Sequence, residues 1–282
     1  MQEYYFLFAL ALVWTLFATI QDIKSREVAN WLNFSLIAFA LAYRAFYATI
    51  NQDYHFFLLG LAAFAIFFAL AYVFYYIKAF AGGDAKLLMG LGIILPYKDY
   101  FDLATLSLIF LFLLFLVGAV YSIIYSALII AKNRNKFSKE LRKKTKHNKK
   151  ILIISLALLA ISIALSFINS LFMLLLILSL IPLVYLYTAS LDKCMLILLP
   201  PSKLTEGDWL EKPVRINSRI TIKKTVHGLS LKDIQLLKKH NKKVLIKQGI
   251  PFVPAFMVAL IIMVLFFLTS KLPLQELLLT FF

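Results

Sequence analysis

The sequence predicts an all-α polytopic membrane protein of about eight transmembrane helices, with a small cytoplasmic α/β insert before the last helix. Three observations carry that prediction. Of 282 residues, 62% are apolar and 16% charged, against about 45–50% and about 25% in an ordinary soluble chain. The apolar residues are gathered in runs of membrane-spanning length, and the basic residues fall between alternate runs. A soluble globular enzyme, a disordered chain and a fibrous repeat are thereby excluded.

At about 1.5 Å rise per residue, some twenty residues cross about 30 Å of hydrocarbon. The predicted spans are residues 4–20, 31–50, 56–77, 87–97, 103–131, 151–168, 170–189 and 250–269. The fourth is short by that standard. The stretch 151–189 is too long for one span, and Asn169-Ser170 supplies a turn between two. The first run follows Glu3 with no basic segment ahead of it and no small-residue cleavage site after it. It is therefore expected to be retained as a span rather than removed as a signal peptide.

Charge placement orients the spans. With the N-terminus outside, residues 21–30, 78–86, 132–150 and 190–249 are cytoplasmic and hold 27 of the 30 Lys and Arg. Only Arg44, Lys98 and Lys271 fall outside them. Omitting one span between residues 21 and 131 would send a basic block to the wrong side, so the positive-inside rule supports both count and orientation. The formal charge of +16 is explained by these loops and anionic headgroups, and no nucleic-acid partner is expected.

The chain then divides into a membrane core (1–131), a polybasic cytoplasmic loop (132–150), an additional transmembrane hairpin (151–189), a cytoplasmic subdomain (190–249) and a last helix with its tail (250–282). Within the subdomain, Arg215–Ile222 partly alternates like a strand. Ser230 with Asp233 three residues on marks an N-cap for a helix over Leu231–Lys239. The prolines of Gly249-Ile250-Pro251-Phe252-Val253-Pro254 suit a first helical turn. The lone Cys194 excludes a disulfide framework. His55, His147, His227 and His240 are scattered without metal-ligand spacing, so no metal site is expected.

Of the fourteen acids, Glu3, Asp53, Asp99, Asp102 and Glu276 read as solvated, and Glu140, Asp192, Glu206, Asp208, Glu211 and Asp233 belong to the inserts. Asp22, Glu27 and Asp84 remain at the membrane border. Asp22 sits just beyond the first span, and Asp84 follows Ala81-Gly82-Gly83 where the third span ends. The hairpin of spans two and three returns the chain to the same face, which places both aspartates there. Two aspartates held close share a proton, one acting as base toward water and the other as acid toward a carbonyl. Gly82 and Gly83, without Cβ atoms, leave room for a substrate backbone and a sharp turn. Each half also has a structural explanation: an interfacial ion pair for Asp22, a simple turn for Gly-Gly.

The pattern Asp22-x-Lys24-x-Arg26-x-Val28-x-Asn30 after a first span, with Gly82-Gly83-Asp84-Ala85-Lys86 opening a later one, resembles the archaeal prepilin and preflagellin peptidases, membrane aspartic proteases of the GxGD type. The resemblance covers roughly residues 1–130; Leu204-x-x-Gly207-Asp208 and the Gly249–Pro254 segment are similar to the C-terminal part of archaeal members. It implies an aspartic endopeptidase that cuts short basic leader peptides from type IV prepilin-like or archaellin precursors at the cytoplasmic membrane face, without metal or organic cofactor. It also implies that Asp22 and Asp84 are catalytic.

Departures from the family pattern are Ala81 in place of the first glycine, Ala29 in place of a proline, and the extra 151–189 hairpin. The cysteine-rich zinc segment of bacterial homologues, linked with N-methylation, is missing. Around the aspartates, Lys24 and Arg26 are candidates to hold Asp22 ionised, and Lys86 to tune Asp84. Asn30 is a candidate cap for the second span. Each of the three cations is equally explained as a cytoplasmic anchor. Two alternatives stay open: a presenilin-like intramembrane GxGD protease, which would need its first aspartate within a span, and a non-enzymatic transporter or scaffold.

Overall fold

The computed structural model describes residues 3–169, 172–217, 220–225 and 228–269. Ser170, Ser218, Arg219, His227, Lys271 and Glu276, all singled out above, lie outside the described residues. Two compact units divide the chain. The first holds residues 1–123 together with 250–282, and the second holds 124–249.

In the first unit lie α1 (Glu3–Ser25), α2 (Asn30–Asn51), α3 (Tyr54–Tyr76), α4 (Gly82–Ile94), most of α5 (Tyr100–Lys132) and α10 (Val253–Thr269). Their apolar faces meet in one core that includes Leu7, Ala11, Leu36, Phe67, Leu88 and Phe256. Many large apolar side chains point outward from the same helices, among them Phe6, Phe46, Leu108 and Phe112. Apolar all round is the pattern of a helix whose solvent is lipid. The protein is a multi-pass membrane protein.

Among the described residues, six helices are long and apolar enough to cross a membrane: α1, α2, α3 and α5, with α7 (Lys149–Ser166) and α8 (Met173–Cys194) of the second unit. The expected count was eight. The other two expected spans, 87–97 and 250–269, correspond to the shorter helices α4 and α10.

Helix α4 has 13 residues, about 20 Å at helical rise, too short to cross hydrocarbon. A helix that stops inside an apolar core leaves carbonyls without partners. Here Arg44 answers them. Fully buried in α2, it donates from Nε to Ile93 O at 2.8 Å and from Nη2 to Leu95 O at 2.9 Å. Its Nη1 reaches Phe56 O at 2.8 Å, and the guanidinium lies 4.5 Å from the Phe56 ring centroid. Tyr97 adds its hydroxyl to Gly92 O at 2.8 Å. Charge counting had set Arg44 apart as an outer-side residue, whereas it is the internal cap of α4.

The second unit contains the end of α5, α6 (Arg134–His147), α7 (Lys149–Ser166), α8 (Met173–Cys194), strands β1 (Leu196–Leu199), β2 (Trp209–Leu210), β3 (Val214–Arg215), β4 (Thr221–Ile222) and β5 (Val244–Lys247), and α9 (Leu231–Lys239). The polybasic stretch expected as a loop is helical. It has no Gly or Pro, and Lys, Arg, Glu and Leu are good helix formers, so only Asn133 and Asn148 interrupt the run. An antiparallel sheet in the order β1-β5-β2 packs with α9 over Leu204, Leu237, Val244 and Ile246. Arg215–Ile222 is not one strand. Val214 pairs with Ile222 and Arg215 with Thr221, which makes a hairpin.

The cap expected at Ser230 is present, with Ser230 Oγ accepting from Asp233 N at 3.2 Å and Ser230 N donating to Asp233 Oδ2 at 3.0 Å. Asp208, expected in an insert, accepts from Thr205 N at 2.9 Å and closes a local turn. Ion pairs Lys193–Glu211 and Lys247–Asp192 tie the end of α8 to the sheet.

Candidate active site

Both aspartates are buried, at 6% exposure for Asp22 and 8% for Asp84. Asp22 occupies the last turn of α1 and Asp84 the first turn of α4, and these two helices pack together. The Asp84 carboxylate accepts from Ala81 N at 3.2 Å through Oδ2, which fixes it over the start of its own helix. Asp84 lies outside the six long apolar helices. Burial pushes its carboxyl up to about 7; the nearby charge of Asp22 acts in the same direction, and the Ala81 amide opposes both.

The segment after α1 builds the other wall. Arg26 turns the chain with a left-handed φ of 60°, its N–H still bonded to Asp22 O at 2.8 Å. Gln21 Oε1 accepts from Ala29 N at 3.0 Å and closes the loop. That loop delivers Val28, 8% exposed, onto Gly83. A Cβ on Gly83 would lie 3.3 Å from Val28 Cβ, whereas one on Gly82 would meet only Tyr75 at 3.7 Å.

The sharp turn expected at the glycines lies elsewhere. Neither has positive φ, and the left-handed turn before them is made by Lys78 at φ 62°. Gly82 and Gly83 are instead the first residues of α4, and Gly83 serves close packing.

The supporting residues separate. Arg26 is within electrostatic reach of Asp22. Lys24 is exposed. Lys86 does not turn to Asp84; its Nζ donates to Asn30 Oδ1 at 2.6 Å and lies 5.6 Å from the Phe34 ring centroid. Asn30 is not the cap of α2, because Ala29 holds that position, and its side chain is engaged by Lys86. This pair links the start of α2 to α4.

Two contacts went unread in the sequence. Asn33, one turn beyond Asn30 and 1% exposed, donates from Nδ2 to Gly83 O at 3.3 Å. Its Oδ1 is buried without a partner. An Asn among apolar residues three positions after Asn30 was the available signal. Val253 N, at the start of α10, donates to Asp22 Oδ2 at 2.9 Å across 231 residues of sequence. No local pattern reports such a contact. Among the described residues no cluster of His, Cys, Asp and Glu is arranged to hold a metal. A cavity of about 260 Å³ lined by Glu3, Tyr4, His55 and Lys98 adjoins the opposite end of α1 and contains neither aspartate.

Residues 9–123, which contain both aspartates, match the sequence profile described as the type IV leader peptidase family. Over that stretch the chain is similar to type IV leader peptidases. Similar curated proteins are preflagellin peptidases of methanogens. That of Methanocaldococcus jannaschii is 33% identical over 89 residues, 32% of this chain and 38% of the relative. That of Methanococcus voltae is 28% identical over 134 residues, 45% of this chain and 57% of the relative. That of Methanococcus maripaludis is 30% identical over 79 residues, 28% of this chain and 34% of the relative. The chain thus spans between about a third and just over half the length of the curated relatives it matches. No solved structure matches it.

Proposed function

We propose that the chain is a membrane aspartic endopeptidase that removes basic leader peptides from type IV prepilin-like or preflagellin precursors. One observation carries the reading: two buried carboxyls, Asp22 and Asp84, at the ends of the packed helices α1 and α4, lie within the stretch that matches type IV leader peptidases.

In the proposed cycle Asp84 holds the proton and Asp22 is the base. Asp22 takes a proton from water, whose oxygen bonds to the scissile carbonyl carbon while Asp84 gives its proton to the carbonyl oxygen. The gem-diol returns one hydroxyl proton to Asp84, Asp22 protonates the leaving nitrogen, and the C–N bond breaks. Both residues end in their starting state, with one water consumed.

The site faces the cytoplasm in this reading, with the N-terminus outside and residues 87–97 and 250–269 completing eight membrane-embedded segments. The support is the 27 of 30 Lys and Arg that this topology gathers on one side. Helix α6, with no buried residue and eight Lys, Arg and His, contacts anionic headgroups.

The test is incubation of the purified protein in vesicles with a panel of prepilin-like and preflagellin precursors, read by product mass. A single cut between the basic leader and the hydrophobic helix is expected. Cuts inside that helix would replace this reading with a presenilin-like one. Absence of any cut by folded protein would overturn it in favour of a scaffold.

A further inference from the structure

The site described above draws on a segment outside the stretch that matches the family. Residues 9–123 contain both aspartates, yet one donor to Asp22 comes from residue 253. Asp22 sits in the last turn of α1, where the unpaired carbonyls of a helix end oppose a negative charge. The start of α10 brings the opposite pole, the free N–H end of a helix. In Pro251-Phe252-Val253-Pro254 both prolines lack an N–H, so the amides on offer are those of Phe252 and Val253. The Val253 amide is the one seen bonded to the Asp22 carboxyl, 2.9 Å from Oδ2.

This end of α10 is clamped. Gly118 of α5 gives way to the Phe252 ring, since a Cβ there would lie 2.4 Å from Phe252 Cζ. Phe80, immediately before Ala81-Gly82-Gly83-Asp84, lies 5.5 Å from Phe252 and 5.6 Å from Phe256 between ring centroids. Further along, Phe267 meets Tyr4 and Phe8 of α1, so α10 runs antiparallel to α1 over its length. The ring cluster that seats the start of α10 also seats the strand of chain leading to Asp84.

Resting on the aspartic-dyad reading, we propose that Val253 is a positioning residue of the active site: its backbone N–H, held in place by Phe252 against Gly118, fixes the Asp22 carboxyl toward Asp84. The family-matching stretch alone is then an incomplete active site, and α10 completes it.

The test compares two variants at one position. Val253→Ala trims the side chain and keeps the amide. Val253→Pro deletes the amide and fits, since Val253 is the first residue of α10, where proline is favoured. Loss of a hydrogen bond to a charged group predicts a kcat about ten- to a hundredfold lower for Val253→Pro than for Val253→Ala, with equal KM. Gly118→Ala, which displaces Phe252 without touching either aspartate, should lower kcat in the same way.

A readout independent of cleavage is the infrared carboxylate band of Asp22, identified by its loss in Asp22→Asn. It should shift in Val253→Pro relative to Val253→Ala. Equal kcat and an unmoved band in the two Val253 variants would overturn the proposal. If the parent protein cuts no precursor, the proposed function fails and the infrared band alone decides this inference.

Discussion

Replacing Arg44 with Met removes the internal cap of α4 while keeping an apolar side chain of similar reach. Three backbone carbonyls, of Ile93, Phe56 and Leu95, then lose their donor at a site closed to water. Hydrogen bonds within membrane proteins average about 0.6 kcal/mol and reach about 1.7, whereas a buried polar group left unpaired costs about 1–3 kcal/mol. Three such groups place the loss at roughly 2–5 kcal/mol. The cation over the Phe56 ring adds about 0.5–2 kcal/mol. At about 2–4 °C per kcal/mol for a chain of this class, the melting midpoint should fall by roughly 5–28 °C. Trp14 and Trp31 in α1 and α2 report the melt by fluorescence in detergent. Arg44→Lys, with one compact charge in place of a planar fork, should recover only part of the loss. An Arg44→Met midpoint equal to that of the parent would refute the idea that Arg44 caps α4.

Gly82 and Gly83 should respond differently to a methyl group. Gly82→Ala meets only Tyr75 at 3.7 Å and should cleave close to the parent rate. Gly83→Ala meets Val28 at 3.3 Å, should be slower by roughly tenfold, and should be partly rescued by Val28→Ala, all read in the precursor assay. The alkaline limb of kcat/KM should lie near the raised Asp84 value, about 7, because activity needs that proton and loses it as pH rises. Stability follows the same group. The folded state keeps a proton that the unfolded state sheds above its ordinary value of 3.8, so this contribution is fully present below that value. It is lost as pH rises toward about 7, and the melting midpoint should fall across that window.

Much of this architecture was legible because membrane physics writes itself into composition. Lipid demands long apolar runs, which is why α1, α2, α3, α5, α7 and α8 were visible, and Ser230 with Asp233 announced α9 by local capping chemistry. Asp22 and Asp84 stood out because carboxylates at a membrane edge are costly. What was missed depends on long-range packing. Helix α4 ends just before Pro96, and its last carbonyls are paired by Arg44 from another helix, where a charge count sees only that Arg44 is basic. Lys86 reaches Asn30 rather than Asp84, a choice made by helix rotation and not by adjacency in sequence. Residues 132–150 were read as a loop from their charge, although charge does not oppose helix. The Val253 amide carries no sequence signal at all, since every non-proline residue has one.

The most direct test of the central claim is precursor cleavage by Asp22→Asn and Asp84→Asn, each alone, in vesicles and beside the parent protein. Each variant should keep the parent's melting behaviour to within the pH effect above and cleave about a thousandfold more slowly or worse. Cleavage at the parent rate by either folded variant would contradict the account, because a shared-proton pair cannot function with one of its two members.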